Sequence, residues 1–501
     1  MAPVTMAAAE LVEPRTARAH ALPFTGAEYR DSLDDGREVY LLGERVGRVA
    51  EHPAFRNSVA SIASLYDALH DPAQRGVLTC PTEDGAGLTH RFFRVARSAA
   101  DLDAARRAID AWARLTGGWM GRSPDYKASL TSVLGADPGW FGPFEASARG
   151  WYAKSQRVPF LNHAIVNPPV DRHRPVHENR DVFVRVVRET SAGIVVRGAK
   201  VVATSAAITH ANFVGQTPGT ATDDADLALA FITPINAPGT KIICRPSYEL
   251  AASGLPAGDY PLSSRFDEND AIMILDDVAV PWENVLIYRD PARVRGFFGQ
   301  TGFQPNFLFH GCTRLAVKLE FIAALLVRAL KITGGDELRG NRALLGEVVA
   351  HAQTFDALAR AMALSATPGP GGSVWPDKSA AMAYAIAAPE AYSRVRQIVL
   401  QTVASGLIYL PSSMRDLDNP ALRPLLDTYL RGSHGTDAQE RTRVMKLLWD
   451  AVGTEFAGRH ELYERNYAGA AENLKLQVIA EAERSPRMAR AYEMVERLLA
   501  V

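Results

Sequence analysis

"DVFVRVVRETSAGIVVRGAKVVATSAA" spans residues 181–207. From Asp181 to Thr190 β-branched and other apolar residues alternate with charged ones, the period-two signature of a half-buried strand. Ser191-Ala192-Gly193 reads as a turn. Two further strand-like runs follow, and the second ends in the hydroxyls of Thr204 and Ser205. The same texture continues in "ADLALAFITPI" (225–235), "TKIICRPS" (240–247) and "NDAIMILDDVAVPWENVLI" (269–287), punctuated by Pro and Gly. An all-β domain is therefore expected over residues 158–288.

Both flanks of this block are helical. "SVASIASLYDALHD" (58–71) repeats apolar residues three and four apart. "SAADLDAARRAIDAWARLTGGW" (98–119) opens with Ser98 or Asp101 as candidate caps and stops at Gly117-Gly118. On the C-terminal side "TRLAVKLEFIAALLVRALKITGG" (313–335) is apolar nearly all round, as in the middle of a bundle. Three more helical stretches follow, within residues 342–366, 391–406 and 441–456. The reading is α+β: residues 1–22 a disordered tail, 23–157 a helical domain, 158–288 the β domain and 289–501 a helical bundle. The helix from Thr313 to Thr333 and "KLLWDAV" (446–452) are too apolar for a surface and are expected near subunit contacts.

Composition excludes several function classes. A formal net charge of −1 over 501 residues offers no field for nucleic acid. The three cysteines, Cys80, Cys244 and Cys312, are too scattered for a disulfide framework and fit a reducing cytoplasm. The N-terminal Ala-rich run lacks a basic region before it and does not read as a signal peptide. No apolar stretch is long enough and uncharged enough to span a bilayer. There is no GxGxxG turn, no GxxxxGK[ST] loop and no HExxH cluster. His163, His210 and His310 stand apart from other ligand-type residues in the sequence.

Three stretches are candidates for chemistry. "GWMGRSPDYKASL" (118–130) sets Arg122 and Tyr126 around a helix start, with Ser123 as N-cap, Pro124 at the first helical position and Asp125 in the first turn. Alone, the pair reads more simply as a surface arginine and a packing tyrosine. "NHAIVNPPVDR" (162–172) is an extended polar segment whose course the prolines fix, and "KVVATSAA" (200–207) ends a strand in hydroxyls. A domain linker and an ordinary strand end are the plain alternatives.

Together with "FTGAEYRDSLDDGREVYLLGERV" (24–46), "PLSSRFDENDAIMILDDVAVPWENV" (261–285), "FHGCTRLAVKLEFIA" (309–323) and "KLLWDAVGTEFAGRHELYERNYAG" (446–469), these segments give the chain a specific likeness. It resembles the oxygenase component of the two-component 4-hydroxyphenylacetate 3-hydroxylase family from about Phe24 to Gly469. The resemblance implies an acyl-CoA-dehydrogenase-like fold: an α domain, a β-barrel domain and a four-helix bundle. It implies a homotetramer, a separate NAD(P)H-dependent flavin reductase, FAD used in its reduced form and molecular oxygen. It assigns Arg122, Tyr126 and His163 to the substrate's phenol oxygen. It assigns His163, Ala164, Ile165, Pro169, Val170, Asp171, Arg172, Thr204 and the Gly453–Arg459 segment, with Thr454, Glu455, Phe456 and Ala457, to the flavin.

The chemistry so implied is electrophilic oxygen transfer to the carbon ortho to a phenol. Arg122 would supply positive charge to the phenolate, Tyr126 a hydrogen bond, and His163 a proton acceptor near neutral pH. Where the family holds a substrate carboxylate with a Ser-Thr pair, this chain has Gln216 and Thr217. The expected substrate is accordingly a tyrosine-like phenol, as in actinomycete members acting on coumarate or on β-tyrosine units, some chlorinated, tethered to a peptidyl carrier protein in antibiotic biosynthesis. A 4-coumarate or 4-hydroxyphenylacetate 3-hydroxylase is the alternative within the family, and two rivals outside it remain on the sequence alone. The flavin and iron–sulfur 4-hydroxybutyryl-CoA dehydratases share the fold but need closely spaced cysteines. A catalytically silent flavin-binding scaffold would not need Arg122, Tyr126 and His163.

Overall fold

The structure, a computed structural model, describes residues 22–171, 173–216 and 223–500. The expected N-terminal tail, except Leu22, lies outside the described residues, as do Arg172 and Thr217. The helical–β–helical order is as read. Helices Gly26–Ser32, Arg56–Ala68, Pro72–Leu78, Ala99–Leu115, Ala128–Ala136 and Glu145–Ser155 precede the main block of strands. Ser98 caps its helix by accepting from the Asp101 N–H at 3.2 Å, and Gly117 and Gly118 leave that helix with positive φ.

The middle strands form two sheets, and among the described residues neither closes into a barrel. One runs in the order Glu44–Val46, Glu38–Leu41, Thr240–Cys244, Ala271–Pro281, Gly193–Lys200, Arg185–Thr190. The other runs Val285–Tyr288, Leu229–Pro234, Ala211–Val214, Leu161–Ala164. The first contains a surprise for a chain read as helical up to residue 157. The hairpin at residues 38–46 leaves its own domain and adds two strands, with Glu38–Leu41 parallel to Thr240–Cys244. Val39, Leu41 and Val46 bury their side chains there.

Four long helices make the C-terminal bundle: Phe303–Thr333, Arg339–Leu364, Lys378–Val403 and Ala438–Val452. The first begins ten residues before the expected Thr313. Pro305 sits in its first turn, where no intrahelical N–H bond is lost. Gly311 is needed for packing, since a Cβ there would lie 2.3 Å from the Tyr467 ring. This helix is buried by its own chain, as is most of Lys446–Val452, so their apolar character does not mark a subunit contact. One exposed apolar face lies on Pro486–Leu499, which has no buried residue and presents Tyr492, Met494, Val495, Leu498 and Leu499 to the outside. Among the described residues no helix is long and apolar enough to cross a membrane.

Candidate active site

The Gly121–Lys127 turn lies between the strand Leu161–Ala164 and the helices Phe303–Thr333 and Glu455–Asn466. Its local structure differs from the expected helix start. Pro124–Lys127 is one 3₁₀ turn, and the α-helix begins at Ala128. Ser123 does not cap it. Its hydroxyl donates to Asp125 Oδ1 at 2.5 Å, and Asp125 faces His310 Nε2 at 3.2 Å. Both residues of that pair are buried. Burial alone would push the Asp125 carboxyl up, but His310 holds it below its usual value. Asp125 is thus committed to His310 rather than to the helix dipole, and His310 is not isolated in space. His210 likewise has partners, in Ser32 Oγ at 2.9 Å and the Phe160 N–H at 2.8 Å.

Arg122 lies in a nest of tyrosines. Its guanidinium carbon is 4.0 Å from the Tyr126 ring centroid and 5.2 Å from those of Tyr463 and Tyr467. Such cation–π contacts contribute roughly 0.5–2 kcal/mol each, which does not replace the solvation of a buried charge. Among the described residues no carboxylate comes within ion-pair distance of it. Its Nη1 is enclosed without a hydrogen-bond partner, and so is the Tyr463 hydroxyl. Glu268 approaches only the backbone, where Oε1 accepts the Arg122 N–H at 2.5 Å. Burial opposes the charge, yet the tyrosine oxygens and Glu268 keep the guanidinium firmly protonated. Burial raises the Tyr126 hydroxyl, and the Arg122 charge works against that.

His163 completes the expected trio, its ring centroid 5.9 Å from that of Tyr126. It has a partner that sequence reasoning missed. Lys127 is fully buried, and its Nζ contacts His163 Nδ1. Burial, then the charges of Lys127, Arg122 and Lys200, hold the imidazole well below its usual pKa. His163 alone is therefore a weak proton acceptor at neutral pH, which revises the role expected of it. The signal for Lys127 was its position at the head of "KASLTSVL", a run buried throughout. Tyr463 and Tyr467 were also missed. They follow Arg459 at four-residue steps, a spacing that puts all three on one side of the chain's helical path.

A second group of charges borders the first. Asp270 receives Arg459 through two bonds of 2.9 Å, Arg245 Nε at 3.1 Å and the Thr204 hydroxyl at 2.6 Å. Arg459 also meets Glu268 Oε2 at 3.0 Å, and Arg245 meets Asp267 at 2.7 Å. Thr204 and the start of helix Glu455–Asn466 are thereby tied to one carboxylate. Thr454 is the N-cap of that helix and accepts the Ala457 N–H at 3.3 Å. Glu455 is exposed, whereas Phe456 and Ala457 are buried, with the Phe456 ring 4.3 Å from His460 and 5.6 Å from Trp119. Those two therefore pack the core. Ala164 and Ile165 are buried at the end of their strand, and Pro169, Val170 and Asp171 are exposed.

Gln216 lies at the far end of Leu161–Ala164. Its Oε1 accepts from Asn167 at 3.2 Å and Lys200 at 3.0 Å, and its Nε2 donates to Leu227 O at 3.2 Å. Lys200 is buried, and desolvation lowers it to about 7. Among the described residues no group of three or more His, Cys, Asp and Glu is arranged to hold a metal ion. The three cysteines are unpaired.

The family model for the 4-hydroxyphenylacetate 3-hydroxylase N-terminal region matches residues 25–287, and that for the C-terminal region matches 294–496. The chain belongs to the 4-hydroxyphenylacetate 3-hydroxylase family. It is 54% identical over 496 residues to the 4-hydroxyphenylacetate 3-monooxygenase oxygenase component of Pseudomonas aeruginosa, covering 97% of this chain and 95% of that one. It is 52% identical over 469 residues to a (3S)-3-amino-3-(3-chloro-4-hydroxyphenyl)propanoyl–peptidyl-carrier protein monooxygenase of Streptomyces globisporus, covering 93% and 89%. A crystal structure of an oxygenase component of 4-hydroxyphenylacetate 3-monooxygenase, complexed with FAD and 4-hydroxyphenylacetate, superposes with a TM-score of 0.90 at 30% identity, covering 95% and 99%. The acyl-CoA-dehydrogenase-like architecture expected of this family is the one observed.

Proposed function

We propose that this protein is the oxygenase component of a two-component flavin-dependent monooxygenase, and that it hydroxylates a tyrosine-like phenol at the carbon ortho to the hydroxyl. The observation that carries the reading is the enclosed Arg122, surrounded by three tyrosines and met by no carboxylate among the described residues. A half-buried cation whose enclosed Nη1 lacks an acceptor stabilises whatever anion reaches it. The family's relatives name a phenol, whose ionised form is that anion.

The residues beside this cluster fit a flavin. Ser205 Oγ is buried without a partner, and the neighbouring Thr204 hydroxyl keeps its lone pairs while donating to Asp270. With His163, Ala164, Ile165, Pro169, Val170, Asp171 and Thr454 they would hold FAD. Glu455, Phe456 and Ala457, in the first turn of the helix that Thr454 caps, complete the flavin-holding set that the resemblance assigns. Reduced FAD with molecular oxygen supplies the electrophilic oxygen atom, and a separate NAD(P)H-dependent reductase supplies the reduced flavin.

The chain's own residues prepare the ring to receive that oxygen. Arg122 favours the phenolate over the phenol, Tyr126 orients the oxygen, and His163 receives the departing proton. A fixed donor that acts on developing charge in this way lowers a barrier by about 2.7–4 kcal/mol. Lys200 has its three donors spent on Ile165 O, Asn167 Oδ1 and Gln216 Oε1, and Gln216 gives one of its two amide hydrogens to Leu227 O, so Lys200 offers none to a free carboxylate. That favours a substrate whose tail is bound as a carrier-protein thioester. The unpartnered apolar face of Pro486–Leu499 supports assembly with further copies of the chain as a homotetramer.

Turnover tests the reading. The protein is supplied with FAD, NADH, oxygen and a generic flavin reductase, and is offered tyrosine, β-tyrosine, coumarate and 4-hydroxyphenylacetate, each free and as a carrier thioester. Mass spectrometry is expected to find one added oxygen, with the thioester of a tyrosine-like phenol preferred. NADH oxidation by the isolated chain without a reductase would contradict the two-component reading.

A further inference from the structure

We infer that Lys127 is the positioning partner of His163, and that the two together, not the histidine alone, take and keep the proton leaving the substrate phenol. The inference rests on the phenol-binding reading above.

The geometry is that of an amine kept out of water with nothing to neutralise its charge. Lys127 Nζ lies 4.6 Å from the Tyr126 ring centroid, 5.3 Å from that of Phe303 and 5.6 Å from that of Phe213, with His163 Nδ1 as its hydrogen-bond partner. The groups facing it can be named element by element. Arg122 and Tyr126 belong to its own turn, His163 to the strand Leu161–Ala164, Phe213 to the adjacent strand, and Phe303 to the long helix, with the Lys200 charge acting on His163 from behind. Among the described residues none of these elements brings a carboxylate within ion-pair distance. Burial and the Arg122 charge accordingly depress the amine far below its usual range.

In its neutral form, which burial and the Arg122 charge favour, the amine beside Nδ1 changes what the imidazole can do. Its lone pair accepts the Nδ1–H, which fixes the tautomer and leaves the Nε2 lone pair free. When the phenol O–H breaks, the proton bonds to Nε2 and the Nδ1 proton passes to Lys127 Nζ. The products are a phenolate and an ammonium, charge balances, and the imidazole is neutral again. The low basicity of His163 and Lys127 in the empty site is then no obstacle, because the ammonium forms together with the phenolate, the counter-charge that Lys127 and Arg122 otherwise lack.

The test uses p-cresol, a phenol with no tail, and its more acidic 2-chloro and 2-nitro derivatives. Without flavin or oxygen, ultraviolet difference spectra report phenolate formed on binding. Calorimetry in buffers of different ionisation enthalpy reports protons released. The parent protein is expected to form phenolate at neutral pH while releasing no proton, and Lys127→Met to form little phenolate from p-cresol. In turnover, Lys127→Met should lose at least about 100-fold on p-cresol, with the loss shrinking to a few-fold as substrate acidity rises. Lys127→Arg should not rescue it, because a guanidinium keeps the charge but cannot act as a neutral amine.

Equal losses on all three phenols, rescue by arginine, or release of one proton to buffer per phenolate would each overturn the relay while leaving the phenol site standing. A parent protein that neither binds nor hydroxylates any of the three would sink the phenol reading itself, and the relay with it. The proton count on the parent protein needs no variant, so a misfolded Lys127→Met does not rescue the idea.

Discussion

Arg459 and Arg122 both touch Glu268, the first through its guanidinium and the second through its backbone N–H, and their guanidiniums are treated in opposite ways. Arg459 spends its donors on carboxylates, with bonds of 2.9–3.0 Å to Asp270 and Glu268, and Arg245 adds a second cation beside three acids. Arg122 receives only a backbone contact from Glu268 and otherwise faces tyrosine rings. Beside it Lys127 and His163 bring further nitrogen and, among the described residues, no carboxylate in ion-pair range. A neutralised cluster at the seam between sheet and bundle holds the fold. A cation left without its counter-ion lowers stability, and a sequence keeps one where a ligand supplies the missing charge.

The largest expected effect breaks the neutralised side. Arg459→Met leaves Asp270 and Glu268 short of a partner, and removing one member of such a buried network should destabilise the protein by about 3–5 kcal/mol, read from urea or thermal unfolding. Arg122→Ala should do the reverse. Stability stays level or rises, while coupled hydroxylation falls by about 10²–10³-fold and the reducing equivalents appear as hydrogen peroxide. Arg122→Lys should recover part of the activity, since it keeps the charge but not the planar fork. If Arg122→Ala proved as destabilising as Arg459→Met, the contrast between the two arginines would not hold.

Acid should separate the regions as well. Glu464 is paired with Arg314 at 2.7 Å and Lys318 at 3.0 Å. Burial pushes its carboxyl up, but these cations bring it down to about 2. A folded value below the unfolded one contributes stability that is complete above the usual carboxylate range and is lost as pH falls toward about 2. Unfolding midpoints measured across that window should therefore drop in acid, whereas Arg122→Ala should leave the slope of that drop unchanged. The smallest effect is expected at Thr204→Val. The lost hydroxyl costs about 0.5–1.5 kcal/mol, because Asp270 keeps both arginines, and it should weaken FAD binding by up to roughly tenfold in a fluorescence titration.

What the sequence made legible follows from the range of each interaction. The strand alternation, the Ser98 cap and the glycine stop at residues 117–118 are local, and they were read correctly. The residues 38–46 hairpin was missed because its hydrogen-bond partner, Thr240–Cys244, lies about two hundred residues away and nothing in the hairpin itself announces a sheet. The start of the long helix was missed because Pro305 and Gly311 resemble breakers, and only the structure shows the first in a tolerated position and the second against Tyr467. Arg122, Tyr126 and His163 came from motif resemblance, and the fold brings them together. Lys127 was passed over because a lysine in sequence reads as surface. Its burial depends on Phe213 and Phe303, which arrive from two other elements. Asp125 was assigned to the helix dipole because His310, its true partner, lies far along the chain.

The central claim is that the carboxylate-poor pocket around Arg122 favours a phenolate. It is tested most directly by titrating bound p-cresol, without flavin and under anaerobic conditions, through its ultraviolet difference spectrum. In water a phenol of this kind ionises near pH 10. The bound phenol should ionise about 3 units lower, so that phenolate is already present at neutral pH, and Arg122→Ala should return it toward the value in water. A bound phenol that titrates at or above its value in water, or identically with and without Arg122, would contradict the account.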